Sequence, residues 1–328
     1  SSIFANSTFS WLKEKANSGL DVRVLYDDMG SFAMLSSNYP KLLGKYGIKC
    51  MQFNKLSPFA GIIMNNRDHR KMMIIDGHTA FSGGINISDE YININSKLGV
   101  WKDNGIRIKG EAVWNFTVMF LEMWNSFKKE DNDYNKYKYN FTEKYKENGF
   151  VVPYGESPLD DVITGEDIYL NIINQAKKYV YIYTPYLIID TDMINSLILA
   201  ARRGVDVRIV VPGIPDKKIV YDLTSSYFYT LIKGGVKIYT YTNGFVHSKV
   251  FLSDDEIATV GTINLDYRSL YLHFECGIYM KDTNVIKDIK KDFEDSFKES
   301  HKVDEKEAKN GLFKGLWQAI LRLFAPMM

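Results

Sequence analysis

Two short segments of this 328-residue chain carry a histidine, a lysine and an aspartate at identical spacing. These residues are His69, Lys71 and Asp76 in the first segment, and His247, Lys249 and Asp254 in the second. Near neutral pH an imidazole can act as a nucleophile or a general acid, and an ammonium group offers a phosphate positive charge and donors. A His and a Lys two residues apart on a strand share a face. Each segment therefore predicts half of a phosphate-handling site.

Polar residues follow both segments at related positions. They are Asn86 and Asp103 in the first half of the chain, and Asn264 and Glu275 in the second. Both asparagines come after glycines, where backbone amides can approach an anion closely and the side-chain amide adds a donor. A carboxylate can accept the Nδ1–H of an imidazole and so present the other ring nitrogen to phosphorus. We predict that the asparagines bind phosphate and that the carboxylates orient the histidines.

The two segments belong to a longer internal repeat. The histidine, lysine, aspartate, glycine and asparagine of the first copy each precede their counterparts by 178 positions. Upstream, "GLDVRVLYDD" is similar to "GVDVRIVVPG". Downstream, "DNGIRIKG" is similar to "ECGIYMKD", and the segment that precedes it is slightly longer in the first half. The repeat predicts that both half-sites contribute to a single active site.

The pattern of residue types within the repeat predicts an α/β fold. Short runs of Val, Ile and Tyr bounded by Gly and Asp are typical of strands, and helix-like stretches ending on Gly lie between them. We predict two lobes, each a mixed β-sheet flanked by helices. The predicted units are a first lobe over 1–127, a polar linker over 128–149, a second lobe over 150–310 and an amphipathic helix over 311–328. The first lobe has no counterpart of "KKYVYIYTPYLIID" and is expected to lack its opening strand.

The C-terminal segment "GLFKGLWQAILRLFAPMM" places large apolar residues at helical spacing. They are Leu312, Phe313, Leu316, Trp317, Ile320, Leu323 and Phe324. Lys314 and Arg322 add positive charge to this segment. The pattern fits a terminal helix docked on the core, and it fits an interfacial helix lying in a membrane surface. A second apolar stretch, "EAVWNFTVMFLEMWNSF", is aromatic on most faces and is expected to be buried between layers.

Composition limits the classes of function. The formal net charge is +1, which disfavours a strongly basic nucleic-acid-binding protein but leaves room for a local basic patch facing anionic lipid. No uninterrupted apolar stretch has transmembrane length. Cys50 and Cys276 both lie in strand-like contexts and are expected to be buried, reduced thiols.

The three remaining histidines, His78, His273 and His301, are expected to be bystanders, although His273 alternates with Glu275 and could lie near the site. A metal ion is not expected, because an ammonium group beside each motif histidine repels a divalent cation and takes over its role of neutralising phosphate charge. No cofactor is expected either.

With these residues in place, the chain resembles the phospholipase D superfamily and, within it, the bacterial cardiolipin synthases. The superfamily motif is "HRKMMIID" and "HSKVFLSD". The narrower resemblance rests on "GGINISDEY", "TPYLIID" and "NLDYRS", and it covers nearly the whole chain. Cardiolipin synthases usually begin with transmembrane helices and a further soluble stretch, and the resemblance leads us to expect that this sequence lacks both ahead of the first lobe. The resemblance implies location at the cytoplasmic face of a bacterial cell membrane.

The resemblance also implies a mechanism. The lobes would pack about a pseudo-twofold axis, and His69 would attack the phosphorus of phosphatidylglycerol while His247 protonates the leaving glycerol. Phosphoryl oxygens would be held by Lys71, Lys249, Asn86 and Asn264, and Asp76 and Asp254 would anchor local structure. The expected partners are phosphatidylglycerol and an anionic membrane surface, not nucleic acid. Open alternatives are a hydrolytic phospholipase D, a phosphodiesterase nuclease and a non-catalytic membrane-binding module.

Overall fold

The computed structural model describes residues 2–31, 34–55, 65–94, 96–142, 145 and 148–327. The helices are α1 (Ile3–Asn17), α2 (Asp28–Ser31), α3 (Tyr39–Gly44), α4 (Val113–Phe127), α5 (Thr164–Gln175), α6 (Thr191–Arg202), α7 (Lys218–Ser226), α8 (Phe228–Lys233), α9 (Tyr267–Tyr271), α10 (Ile286–Lys298), α11 (Glu305–Ala308) and α12 (Leu312–Leu323). The strands are β1 (Arg23–Asp27), β2 (Lys49–Phe53), β3 (Arg67–Asp68), β4 (Met72–Ile75), β5 (Thr79–Gly83), β6 (Val100–Lys102), β7 (Gly105–Lys109), β8 (Phe150–Glu156), β9 (Tyr179–Tyr183), β10 (Asp206–Pro212), β11 (Lys237–Tyr241), β12 (Gly244–Val246), β13 (Val250–Ser253), β14 (Ile257–Gly261), β15 (His273–Lys281) and β16 (Ser300–Lys302). Short 3-10 helices cover Asp89–Ile92, Tyr134–Tyr137 and Ala325–Met327.

The second lobe is built on a mixed sheet with the order β16-β11-β10-β9-β13-β14-β15. Strands β9, β10 and β11 run parallel, whereas β13, β14 and β15 pair antiparallel with their neighbours. Strand β9 reads "YVYIY" and is buried throughout, which is typical of a strand covered on both faces. Val180 and Ile182 face one apolar core, and the three tyrosines of β9 face the other.

The first lobe repeats this plan with its sheet in two pieces. Strands β1 and β2 form a parallel pair, and β4, β5 and β7 form a separate antiparallel sheet. In the second lobe β9 joins the corresponding strands, but no strand among the described residues lies between β1 and β4. The first lobe, which was expected to lack its opening strand, thus carries its strands in two smaller sheets.

Reciprocal strand pairs join the lobes. Strand β6 of the first lobe pairs in parallel with β12 of the second, with Trp101 opposite Phe245. Strand β15 of the second lobe pairs in parallel with β3 of the first, with His273 opposite Arg67. Phe245 follows Arg67 by the repeat spacing of 178 positions. The register thus obeys the pseudo-twofold symmetry that the sequence predicts.

The aromatic helix α4 is buried as expected, with Val113, Phe116 and Trp124 almost fully enclosed. The predicted linker begins directly after it and contacts the first lobe. Asp131 is buried there, where it accepts hydrogen bonds from Arg23 Nη1 and the Tyr137 hydroxyl, both at 2.6 Å. This part of the linker therefore fixes the end of α4 against β1.

The two cysteines are free thiols, and no helix in the described ranges is long and apolar enough to cross a membrane. Cys276 is buried, but Cys50 is only half-buried, which corrects the expectation for that residue. The difference follows from the sheets: β2 lies in the small two-stranded sheet of the first lobe, whereas β15 lies inside the large sheet.

Candidate active site

His69 lies between β3 and β4, where its backbone N–H donates to the carbonyl of Phe274 at 2.9 Å. This bond continues the pairing of β3 with β15 and brings the imidazole to Glu275. The Nδ1 atom of His69 lies 2.8 Å and 3.0 Å from the two carboxylate oxygens of Glu275. Glu275 has no exposed side-chain surface, whereas 27% of the His69 side chain is exposed. The histidine is held from inside the protein and remains open on its other side.

His247 repeats this arrangement with the lobes exchanged. Its backbone N–H donates to the carbonyl of Lys102 at 2.7 Å, and its Nδ1 lies 2.8 Å from Oδ2 of Asp103. Each histidine therefore comes from one lobe and its carboxylate from the other. We call these two pairs the carboxylate clamps. With Nδ1–H donated to the clamp, Nε2 of each imidazole keeps its lone pair for chemistry.

The motif lysines lie against their histidines. Lys71 Nζ donates to the backbone carbonyl of His69 at 2.6 Å. Lys249 Nζ donates to the carbonyl of His247 and lies 2.8 Å from Nδ1 of that ring. Burial lowers the pKa of Lys71, and it lowers the pKa of Lys249 to about 7. Both ammonium groups are thus poorly solvated and would gain from an incoming phosphate.

The two motifs influence each other across the lobe boundary. Burial lowers the pKa of His69, and the charge of Lys249 from the other lobe lowers it further. Burial and the charges of Lys249 and Lys71 hold the pKa of His247 well below its ordinary value. Both pKa shifts favour the neutral imidazole over the imidazolium while the site holds no anion. These mutual effects favour a single site that both motifs share, and that site stays a prediction.

The clamp carboxylates differ in their proton affinity. Burial alone would raise the pKa of Glu275, but His69 and Lys71 outweigh it and hold this pKa below its usual range. At Asp103 burial dominates and raises the pKa to about 6, although Lys249 and the Asn104 amide oppose it. The pseudo-symmetric site is therefore electrostatically asymmetric.

Of the two predicted phosphate-binding asparagines, Asn264 is buried and Asn86 is partly buried. Oδ1 of Asn264 is buried and has no hydrogen-bond partner among the described residues. Asn86 donates to the hydroxyl of Tyr91 at 2.6 Å. The Tyr91 ring stands edge-on to His247 at 5.2 Å, and Trp101 lies 5.7 Å from the same imidazole. Sequence analysis missed these two aromatic residues, although Tyr91 closes the "GGINISDEY" stretch.

The motif aspartates lie apart from the imidazoles. The carboxylate of Asp254 accepts hydrogen bonds from the backbone amides of Lys177, Lys178 and Tyr179, at 2.7 to 2.8 Å. It thereby fixes the start of β9. Asp76 occupies the equivalent turn with a similar positive φ, but no hydrogen bond to its carboxylate occurs among the described residues. A structural role for these aspartates stays a prediction that the Asp254 contacts favour.

The remaining histidines occupy different surroundings. His301 is exposed and pairs with Glu307, and His78 contacts the hydroxyl of Thr79. His273 instead lies at the site: its ring centroid is 5.8 Å from that of His69.

One group in this site could hold a metal ion. His69, His273 and Glu275 offer ligand atoms that all lie within 4.8 Å of one another. In this group the carboxylate already accepts from the His69 imidazole, and the Lys71 ammonium lies close by. That donor set suits a phosphate better than a divalent cation, and the absence of a required metal stays a prediction.

The fold and the paired histidine–lysine motifs define a two-lobed protein of the phospholipase D type. A sequence model of the family described as "Cardiolipin synthase, PLD-like domain" matches residues 3–124 and 169–297. The chain therefore belongs to this family, which confirms the resemblance found in the sequence.

Individual relatives agree with this assignment. An uncharacterised protein of Streptococcus mutans is 51% identical over 86% of this chain and 61% of its own length. Cardiolipin synthase 1 of Staphylococcus aureus is 41% identical over 85% of this chain and 57% of its own length. The chain thus spans about three fifths of these relatives. The crystal structure of a phosphatidylserine synthase from Haemophilus influenzae has the same fold, with a TM-score of 0.70, 16% identity, and coverage of 98% of this chain and 83% of that one.

Proposed function

We propose that this chain transfers a phosphatidyl group from one phosphatidylglycerol to another, forming cardiolipin and releasing glycerol. In the first step Nε2 of His69 attacks phosphorus, a P–N bond forms, and the P–O bond to the headgroup glycerol breaks. The bound phosphodiester anion favours the imidazolium form of His247, whose Nε2–H then gives its proton to the leaving glycerol oxygen. In the second step His247 removes a proton from the primary hydroxyl of the second lipid. That oxygen then bonds to phosphorus as the P–N bond breaks.

The observation that carries this proposal is the pair of carboxylate clamps in a chain of the cardiolipin synthase family. Each clamp holds an imidazole through Nδ1 and leaves Nε2 outside the clamp, at His69 to attack and at His247, where Lys249 Nζ lies 3.1 Å away, to exchange a proton. The sequence repeat does not distinguish the two histidines. The assignment of His69 as nucleophile rests on the family pattern and agrees with its greater exposure, 27% against 9% for His247.

Charge supports a phosphodiester as the substrate. Lys71 and Lys249 are desolvated amines whose protonated forms would gain from an anion, and Asn264 is a buried side chain whose amide NH₂ group can donate to a phosphoryl oxygen. A phosphodiester anion carries one negative charge and can accept hydrogen bonds from both lysines. The interaction would strengthen as negative charge grows on the non-bridging oxygens in the transition state.

The C-terminal helix supports a membrane surface as the partner. Helix α12 lies beside α7, where the Gln318 side chain donates to the carbonyl of Asp222 and the hydroxyl of Ser225. One turn later Arg322 donates to the hydroxyl of Ser226. Buried Leu321 and Ala325 complete the contact with the core. The helix is therefore docked on the protein, one of the two arrangements that its sequence allows.

Docking leaves the largest apolar side chains of this segment in solvent. The exposed residues are Phe313, Leu316, Trp317, Ile320, Leu323 and Phe324. From residue 309 to the last residue the chain has three cations and no acidic side chain. A surface with this composition suits the headgroup layer of an anionic bilayer, where apolar groups bury and cations meet phosphates. We infer that the docked helix rests on the membrane that holds the lipid substrate.

Product analysis tests the proposed activity. The protein is incubated with phosphatidylglycerol vesicles, and glycerol, cardiolipin and phosphatidic acid are measured. The proposal predicts equal molar amounts of glycerol and cardiolipin, which are lost in His69→Gln and in His247→Gln. His301→Asn is a matched control, because this histidine is exposed and pairs only with Glu307 in the described structure.

Two outcomes contradict the proposal. Phosphatidic acid with little cardiolipin would mean that water is the acceptor and that the chain is a hydrolase. Cardiolipin formation that survives both histidine substitutions would remove the motif residues from the mechanism.

A further inference from the structure

His273 and Trp101 occupy equivalent positions in the two halves of the site. Each lies two residues before a clamp carboxylate: His273 and Glu275 share a face of β15, and Asp103 follows directly after β6, which contains Trp101. Their rings also match in place: His273 lies 5.8 Å from the His69 ring at an interplanar angle of 48°, and Trp101 lies 5.7 Å from the His247 ring at 41°. The pseudo-symmetry thus puts an imidazole beside one catalytic histidine and an indole beside the other.

Both rings carry buried nitrogen atoms without partners. The two ring nitrogens of His273 and Nε1 of Trp101 are shielded from solvent and make no hydrogen bond among the described residues. Such groups are uncommon in folded proteins and point to a contact that forms in another state of the site. For His273 that contact is close, because its Nδ1 lies 3.8 Å from Oε1 of Glu275. A small rotation of the side chain brings it within hydrogen-bond distance.

We propose that His273 is a positioning residue that shares Glu275 with the nucleophile His69. In the working site the His273 N–H donates to one carboxylate oxygen while His69 Nδ1–H donates to the other. The carboxylate is then fixed between two imidazoles, and Nε2 of His69 is aimed at phosphorus. This inference rests on the proposed function for its consequence in catalysis, but the hydrogen bond itself does not depend on the substrate.

The surroundings favour this partner over others. Opposite His273 on β3, the guanidinium of Arg67 is directed to Asp27 at 2.7 Å. The Lys71 ammonium, which donates to the backbone of His69, offers only donors. Glu275 is the acceptor within reach, and a carboxylate has lone pairs for both imidazoles. In the other half the indole of Trp101 can donate a hydrogen bond but cannot exchange a proton, so the resemblance between the halves ends at this pair.

Three variants separate a hydrogen bond from packing. His273→Asn keeps a side-chain donor, His273→Leu removes it while retaining apolar bulk, and His301→Asn is the control. With five histidines in the chain, ¹⁵N-histidine NMR spectra can be assigned by substitution. We expect His69 to occupy the Nδ1–H tautomer in the wild-type protein and in His273→Asn. In His273→Leu we expect a mixture of tautomers or a broadened Nδ1–H signal.

Kinetics supply the second readout. Formation of the phosphohistidine from phosphatidylglycerol should slow by about tenfold in His273→Leu, with kcat reduced and KM little changed, and recover at least partly in His273→Asn. An unchanged His69 spectrum in a folded His273→Leu protein would overturn the inference, whatever the activity. An altered spectrum in a protein that never makes cardiolipin would uphold the hydrogen bond and reject only the proposed function.

Discussion

The clamp at Asp103 predicts that one substitution will raise stability while it lowers activity. Only 3% of this side chain is exposed. Burial raises its pKa from an ordinary value of 3.8 to about 6, even though Lys249 and the Asn104 amide stabilise the anion. The ionised carboxylate is therefore less favourable in the folded protein than in the unfolded chain. Asp103→Asn retains the shape and an acceptor oxygen but removes the charge.

The pKa shift sets the size and the sign of the effect. A shift of about two units corresponds to about 3 kcal/mol, which is an upper limit because the amide must also be accommodated. The penalty is fully present above the folded pKa of Asp103, about 6. It disappears below the unfolded pKa, where the carboxyl group is protonated in both states. The gain from Asp103→Asn should therefore be largest at pH 8 and about half as large at pH 5.

Urea unfolding at the two pH values measures this gain, and phosphatidyl transfer is assayed on the same preparations. We expect the free energy of unfolding to rise by about 1–3 kcal/mol at pH 8. We expect transfer to fall by at least about tenfold, because a neutral amide stabilises the His247 imidazolium less than a carboxylate does. A variant that is less stable at pH 8, or a gain that does not change with pH, would refute the reasoning.

Substitutions at Gly84, at Asp254 and on the exposed face of α12 test three further features of the structure. Gly84→Ala should reduce transfer by about tenfold or more, because a Cβ atom at this position would lie 2.2 Å from Oδ1 of Asp103 and displace the clamp; initial rates on vesicles measure this. Asp254→Ala should lower the free energy of unfolding by about 3 kcal/mol in urea titrations, because the three backbone amides that precede β9 lose a charged acceptor. Replacing Leu316 and Leu323 together by Ser should weaken sedimentation with phosphatidylglycerol vesicles by up to about a hundredfold, since each exposed leucine contributes about 1.5 kcal/mol when buried in lipid.

The aspartate and leucine substitutions have matched controls. Asp76→Ala should cost much less stability than Asp254→Ala, since its carboxylate has no hydrogen bond among the described residues. Leu199→Ser removes a leucine of α6 that is 53% exposed and lies outside the α12 surface, so vesicle binding should not change. An equal loss of stability in Asp76→Ala and Asp254→Ala would reject the specific role of the Asp254 carboxylate. An equal loss of vesicle binding in Leu199→Ser and in the double leucine variant would reject the role of the α12 surface. Full activity in Gly84→Ala would show that the Asp103 clamp tolerates displacement.

The residues of each half-site could be predicted from the sequence because they lie close together along the chain at a fixed spacing. His69 and His247 could be paired by an exact offset, and alternation along a strand placed each lysine beside its histidine. The sequence could not show which carboxylate serves which histidine. The clamp partners are 206 and 144 positions apart, and each joins residues of different lobes through strand pairs of only two or three residues.

The internal repeat also could not predict how the two halves of the site differ. The repeat aligns Asp103 with Glu275 and predicts that both orient a histidine. Their different surroundings nevertheless raise the pKa of Asp103 and lower the pKa of Glu275. His273 was expected to be a bystander, although its alternation with Glu275 left room for a place near the site, and the packing of β15 against β3 brings it to His69. The apolar C-terminal pattern fitted both docking and membrane contact. Its polar side chains at Gln318 and Arg322 determine which face meets the protein.

Trapping the covalent intermediate tests the central claim most directly. The protein is mixed with phosphatidylglycerol vesicles, denatured within a turnover without acid, and digested for mass spectrometry. The account predicts a phosphatidyl group on His69, absent in His69→Gln and reduced in His247→Gln. An adduct on His247, or cardiolipin formation with no histidine adduct in the wild-type protein, would contradict it.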